Sequence, residues 1–338
     1  MFKLAVLNPG GRDRQQMFPD FAGAPEAKLH PPVNYHGFAA CSGGGFFREA
    51  DSIPDEVSHV LLLVRRDVNA ARQALIDLRR GKRKTVAIAL KEAGASQVAE
   101  FLSSASRLRA FREICQRAHG AIATTPELIP LFRGAGCRAV EFIPTPYPTE
   151  DPRWNFAQSD NARTGIFVGT REFSVPSRNH AAALLAMRSL AEPMQERVTV
   201  VNETGWRGRR VLSALDWPAG LLRIIDGCQP YPEYLRLIAS HKIVLQFDTS
   251  AVPGQVAGDA LLCRTPCVGG DGAVERLVFP ALCGFGRTRE QLFDLAAGLL
   301  EHPHDREGVV TEALGTAATT VSFATVARKL EGFFSHLG

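Results

Sequence analysis

No stretch of this sequence stays apolar for the ~20 residues that a membrane-crossing helix needs; runs such as Val60–Val64 are far too short. The segment from Met1 to Leu7 has no basic flank, long apolar core or cleavage site, so no secretory signal is expected and a cytoplasmic protein is. Cysteine is sparse and odd in number, seven residues scattered over positions 41, 115, 137, 228, 263, 267 and 283. That pattern fits reduced thiols and excludes a disulfide framework. Cys263 and Cys267 lie four apart with no second Cys/His pair at zinc-like spacing, so no metal site is expected. Lysine is scarce too, 7 residues against 32 Arg. Arginine's planar fork suits phosphate and carboxylate, although genomic base composition accounts for most such residues. No Ser/His/Asp order and no P-loop is present.

What remains is a soluble, globular composition, 45% hydrophobic and 22% charged with a net charge of +4. At 338 residues the chain is comfortable as two domains. Apolar strand runs recur at 2–7, 57–64, 85–90, 118–123 and 140–143, with helical patterns between them, notably 69–80 and 96–117. Strand alternating with helix predicts a parallel sheet covered on both faces. Four prolines within 144–152 then interrupt regular structure and read as an interdomain linker. The alternation restarts with strands at 164–168, 197–201, 221–225 and 242–247 and helices at 179–189, 211–215 and 231–240. A helix at 289–300 follows, and the C-terminal helix carries an apolar stripe of Phe323, Val326, Leu330, Phe333, Phe334 and Leu337. The expected domains are 1–147, 148–316 and the amphipathic helix 317–338. The expected fold is α/β, two Rossmann-like lobes facing a cleft, with ligands at the carboxyl ends of the strands and the last helix packing back on the lobes.

The stretch from Phe247 to Asp271 narrows the reading most. It predicts a strand, a Gly-rich turn, a helix opening near Gly254 with Asp259 on its early part, a Thr265-Pro266 break, and a second Gly turn. A helix N-terminus behind small residues offers free N–H groups and a positive dipole end to an anion. Asp259 would then hold ribose hydroxyls, or would only favour the helix's positive end.

In this layout the chain resembles the GT-B glycosyltransferases, especially the large retaining family with an E-G-F-G-x4-E signature, as a divergent member. The matching run here is Asp248-Thr-Ser-Ala251-Val-Pro-Gly254, then Asp259-Ala-Leu-Leu-Cys263-Arg-Thr265-Pro266. The resemblance implies transfer of a sugar from a nucleotide diphosphate sugar, such as a UDP- or GDP-sugar, with no further cofactor. The implied acceptor is a glycan or a lipid-linked group, as in polysaccharide biosynthesis. Asp259 inherits the ribose-clamp role of the second acid, and the N–H groups of Gly254 and Gln255 the diphosphate. Ala251 stands where the family's first Glu contacts the sugar, and a methyl accepts no hydrogen bond. That departure keeps open a catalytically inactive nucleotide-binding or scaffold protein of the same fold, and also an epimerase or phosphorylase-like enzyme.

Gly165-Ile-Phe-Val-Gly169-Thr-Arg171 resembles the family's strand–Gly–Arg start, which makes Arg171, then Arg178, the cations for a departing diphosphate. Tyr231, ahead of the motif strand, is placed to stack on the base or to pack in the core; Glu275 matches a family Glu whose role is open. In the first lobe Gly10 and Gly11 form a turn facing the donor. Lys91 and Glu92 follow the strand at 85–90, Glu92 as the general base that an inverting reaction requires. His36 is a second candidate base, in a loop; the segment Ala40–Gly45 reads as a flexible acceptor loop or a linker. The densest basic patch, Arg79–Lys84, has the charge for peripheral contact with anionic lipid at the inner membrane face, or else closes a helix before a strand. No aromatic residues interleave with it, so nucleic acid is not an expected partner.

Overall fold

Two successive parallel α/β alternations organise the chain in the computed structural model, which describes residues 2–26, 29–65, 67–91 and 94–337. They divide it into two units, Met1–Asp151 with Thr319–Gly338, and Pro152–Ala318.

In the first unit the strands are β1 (Leu4–Leu7), β2 (Gln16–Met17), β3 (Gly45–Phe47), β4 (His59–Val64), β5 (Thr85–Leu90), β6 (Gly120–Ala123) and β7 (Val140–Phe142). They form one sheet in the order β2-β3-β1-β4-β5-β6-β7, parallel except for β2 against β3. From Val60 to Val64 and from Val86 to Leu90 every residue is buried, which explains why these strands read as unbroken apolar runs rather than alternating ones. The helices are α1 (Asn34–Ala40), α2 (Val68–Ile76), α3 (Ala95–Leu102), α4 (Ala105–Arg117) and α5 (Leu128–Gly134). The helix expected over 69–80 ends at Ile76 and passes into a wider turn, Asp77–Gly81. The one expected over 96–117 is broken at Ser103-Ser104, where the Ser103 hydroxyl donates to Glu100 O at 2.7 Å instead of leaving the backbone alone.

One sequence expectation is overturned. Ala40–Gly45 is neither a flexible loop nor a linker: its residues are buried or nearly so, and Gly44 N–H donates to Ala39 O at 2.9 Å. A side chain on Gly44 would come within 2.0 Å of Leu4 O, so the glycines permit a tight passage from α1 into β3 beside β1.

The second unit holds β8 (Ile166–Val168), β9 (Val198–Asn202), β10 (Leu222–Asp226), β11 (Ile243–Gln246) and β12 (Cys267–Gly269). All are parallel, in the order β10-β9-β8-β11-β12. This is the doubly wound order, whose switch point falls between β8 and β11. Its helices are α6 (His180–Met194), α7 (Trp206–Ser213), α8 (Tyr231–Ala239), α9 (Gln255–Leu262), α10 (Ala273–Val278), α11 (Arg289–Glu301) and α12 (Pro303–Thr320). The last helix, α13 (Phe323–Ser335), belongs to the first unit, where Phe334 packs on Phe2 with ring centroids 5.8 Å apart. Its start is fixed by Ser322, whose side chain accepts Thr325 N–H, and by Glu150, which accepts Ala324 N–H.

Buried Arg163 ties the entry of the second unit to its sheet. Its guanidinium donates to Gln158 O, His241 O, Thr265 Oγ1 and Cys263 O, at 2.6–3.4 Å. Removing it leaves buried acceptors without donors, which costs more than the bonds themselves contribute. Arg163→Leu is expected to lower unfolding free energy by about 2–4 kcal/mol in urea melts. A loss below about 0.5 kcal/mol would show the tie to be dispensable.

Candidate functional site

The carboxyl ends of β8 and β11 carry most of the residues that the sequence singled out in the second half. β8 runs into Gly169, where an added Cβ would meet Val256 Cγ1 at 2.6 Å; the missing side chain lets the start of α9 lie against the strand end. α9 begins at Gln255 behind Gly254, which adopts φ 100°. A Cβ there would be strained by that φ and would fall 2.2 Å from Glu275 Oε2. The turn is therefore possible only with glycine, and it leaves the first N–H groups of α9 without helical partners.

Arg171 follows Gly169 by two residues. Its guanidinium lies over the Tyr234 ring at 4.9 Å and donates to Glu203 Oε1 at 2.8 Å. Burial opposes its charge, but Tyr234, Glu203, Asp259 and Glu172 together outweigh burial and hold it firmly protonated. Arg178 is differently placed. It is buried in ion pairs with Asp248 and with Glu172, the latter at 2.7 Å, so it serves as an internal brace.

Asp259 is 1% exposed. Oδ1 accepts the Tyr231 hydroxyl at 2.5 Å and Oδ2 accepts Gln255 Nε2 at a long 3.4 Å. Burial pushes its pKa up to about 7, against the pull of Tyr231, Arg171 and Gln255. The Tyr231 ring packs between Trp154 and Tyr234, with centroids at 6.1 and 6.4 Å. Glu275, on α10, lies beneath the Gly254 and Gly272 turns. Its Oε1 accepts Gln246 Nε2 at 3.0 Å, Oε2 is buried without a hydrogen bond, and burial raises its pKa to about 7. Ala251 is held in the left-handed region at φ 49°, its N–H donating to Asp271 Oδ1 at 2.7 Å.

The first unit gathers a second cluster at the ends of β1, β3 and β5. Gly10 takes φ 70°, and a Cβ on Gly11 would collide with the Asn8 side chain at 2.2 Å. Asn8 Nδ2 donates to Asp13 Oδ2 at 3.2 Å, and Lys91 Nζ forms an ion pair with the same carboxylate. Lys91 also sits 5.5 Å from the Phe46 ring centroid. Burial alone would raise the Asp13 pKa, but the bond and charge of Lys91 lower it overall. His36 departs from its expected loop: it lies on α1, 3% exposed, stacked between His30 and Phe46 at 3.6 and 3.7 Å. Burial, reinforced by His30, drives its pKa down to about 2, so it is a neutral, buried and weak base. Glu92 lies outside the described residues.

Sequence reading missed Asp13, His30, Glu203, Tyr234, Gln246 and Asp271. Their contacts join positions up to 78 residues apart or sit within loops, where no local period marks them. The basic patch is also partly committed. Lys84 is buried and donates to Pro54 O and Asp55 O, Arg79 donates to Arg117 O, and Lys82 pairs with Asp51. No helix among the described residues is long and apolar enough to cross a membrane.

No family model matches the chain, and no curated protein matches it. Solved structures do. HepE of Anabaena, in a crystal structure with UDP and glucose, is 15% identical, with a TM-score of 0.65 over 99% of this chain and 100% of that one. The pneumococcal O-GlcNAc transferase GtfA, solved with UDP and GlcNAc, is 10% identical, with a TM-score of 0.58 over 82% of this chain and 57% of that one. The E. coli trehalose-6-phosphate structure bound to UDP-2-fluoro glucose is 14% identical, with a TM-score of 0.61 over 82% and 72%. At these identities the likeness shows the fold: two Rossmann-like lobes of GT-B type.

Asp259 and Glu275 have ordinary values of 3.8 and 4.5 but keep their protons up to about 7 in the fold. The unfolded chain releases both protons above the ordinary values, so their stabilisation is full below that range and is lost as pH rises through 7. The ligand-free protein is expected to melt lower at about pH 8 than at about pH 5. Asp259→Asn and Glu275→Gln should each recover ~1–2 kcal/mol at the higher pH. Melting curves of variants that run parallel to wild type across this window would contradict the assignment.

Proposed function

We propose that this chain is a glycosyltransferase that moves a sugar from a nucleoside diphosphate sugar to a glycan or lipid-linked acceptor, without a metal ion. The observation that carries this reading is the Gly254 turn at the switch point of the second sheet, with the first turn of α9, Arg171 and Asp259 in one neighbourhood. The first turn of α9 takes the diphosphate and Arg171 balances the charge that grows as the bond to the sugar breaks. Asp259 takes a ribose hydroxyl in place of its long bond to Gln255, with the base toward Tyr231. Fold neighbours solved with UDP support a donor of this class.

Ala251 provides no sugar contact, and the acid nearest to it is Asp271, whose Oδ1 already accepts Ala251 N–H. Asp271 is therefore assigned to the donor sugar. In the first unit, Asp13, Lys91 and Glu92 are assigned to the acceptor side, with Gly10 and Gly11 keeping the backbone accessible.

A thermal-shift series with UDP, GDP and ADP tests the donor site. One nucleotide at saturation should stabilise the protein by about 2–3 kcal/mol, and Asp259→Ala should abolish the gain. Arg171→Ala should lower nucleotide release from the matching sugar donor tenfold or more. Asp271→Asn should lower release while leaving nucleotide binding in place. If no nucleoside diphosphate shifts the melt, the transferase reading is wrong; binding without release of the sugar would instead support an inactive scaffold.

A further inference from the structure

We propose that the exposed face of α7 is a docking surface for an anionic lipid bilayer. On this helix Gly208 and Leu212 point inward, while Trp206, Arg207, Arg210 and Val211 form a contiguous solvent-facing stripe at the spacing i, i+1, i+4, i+5. Trp206 is 64% exposed and is the most exposed large hydrophobic residue among those described. The guanidinium groups of Arg207 and Arg210 lie 5.6 and 5.8 Å from its ring centroid. Neither has an ion-pair partner among the described residues, while the neighbouring Arg209 is taken by Asp226. An indole carried outward between two uncompensated cations suits the headgroup region, where the ring meets the apolar boundary and the cations meet lipid phosphates.

The surroundings favour a membrane over a soluble polyanion. Beside the stripe, Arg210 also lines a cavity of about 450 Å³ whose walls include the acid Asp216 as well as Leu212, Trp217, Leu222 and Ile224. A polyanion alone would leave the exposed Trp206 indole and Val211 side chain uncovered, whereas the boundary between headgroups and acyl chains covers them. Charge complementarity therefore comes with apolar contact from Trp206 and Val211 on the same stripe. The patch Arg79–Lys84 has the greater formal charge, but Lys84 is buried, Arg79 and Lys82 are partnered, and it carries no aromatic residue.

Sedimentation of the full chain tests this surface, using vesicles of equal parts phosphatidylcholine and phosphatidylglycerol against phosphatidylcholine alone, at low and high salt. The protein should sediment with the anionic vesicles at low salt, and weakly with the neutral ones. Arg207→Ser with Arg210→Ser should lower the partition coefficient about thirty-fold, as expected for two cations near an anionic surface. Trp206→Ser should also weaken it, and vesicles should shift wild-type tryptophan emission to the blue but not that of this variant. Arg80→Ser with Arg83→Ser should leave partition unchanged. All five positions are exposed, and unaltered melts will show that the variants fold. The proposal is overturned if wild type ignores anionic vesicles at low salt, or if both arginine pairs lose partition equally. It is overturned too if soluble heparin binds as tightly as the vesicles and Trp206→Ser changes nothing.

Discussion

The second unit is organised around one close approach, that of the Gly254 turn to Glu275 and of the start of α9 to Gly169. Two missing side chains allow it. At Gly254 a Cβ would meet Glu275 Oε2 at 2.2 Å, and at Gly169 it would meet Val256 at 2.6 Å. Because the helix can come down onto the strand ends, its first turn begins at the point where the strand order reverses. Arg171 stands beside this turn because it follows Gly169 directly out of β8. Tyr231, from the start of α8, fixes the Asp259 side chain on α9. Each contact depends on that one geometry, so a side chain at residue 254 would disturb all of them together.

The first unit reaches a comparable arrangement by a different route. Gly10 and Gly11 keep the turn after β1 low, Asn8 bridges to Asp13, and Lys91 from the end of β5 neutralises that carboxylate. Here the polar pair sits over a stack of two imidazoles and a phenyl ring, not over a helix terminus. The cluster thus has a compact ion pair at its surface and a neutral, apolar floor beneath it.

Strands β4 and β5 were legible in the sequence because burial on both faces makes them continuous apolar runs with clear ends. The α9 turn was legible because a left-handed glycine and a following helix leave a local signature. The α1–β3 passage was not. Its glycines look like those of a loop, and the reason for them is the Leu4 carbonyl some forty residues earlier in the chain. His36 escaped for the same reason: α1 has no side-chain cap at Val33, and the stacking that buries the imidazole comes from His30 and from Phe46 on another strand. Arg178 looked like a candidate for phosphate because Asp248, its partner, lies 70 residues away.

Buried acids beneath the proposed diphosphate turn pose an electrostatic problem, and burial itself eases it. Ionised carboxylates at Asp259 and Glu275 would oppose a diphosphate near the start of α9, a repulsion strengthened by the low local dielectric. Both pKa values are instead raised to about 7 by burial, so each proton is held near neutrality rather than lost near 4. Less negative charge then offsets the helix N–H dipoles and Arg171, which its neighbours keep charged. Asp248 does not add a bare charge, because Arg178 is paired with it. Arg178 thus has an electrostatic use: it neutralises Asp248 next to the candidate site, where Arg171 is a second cation.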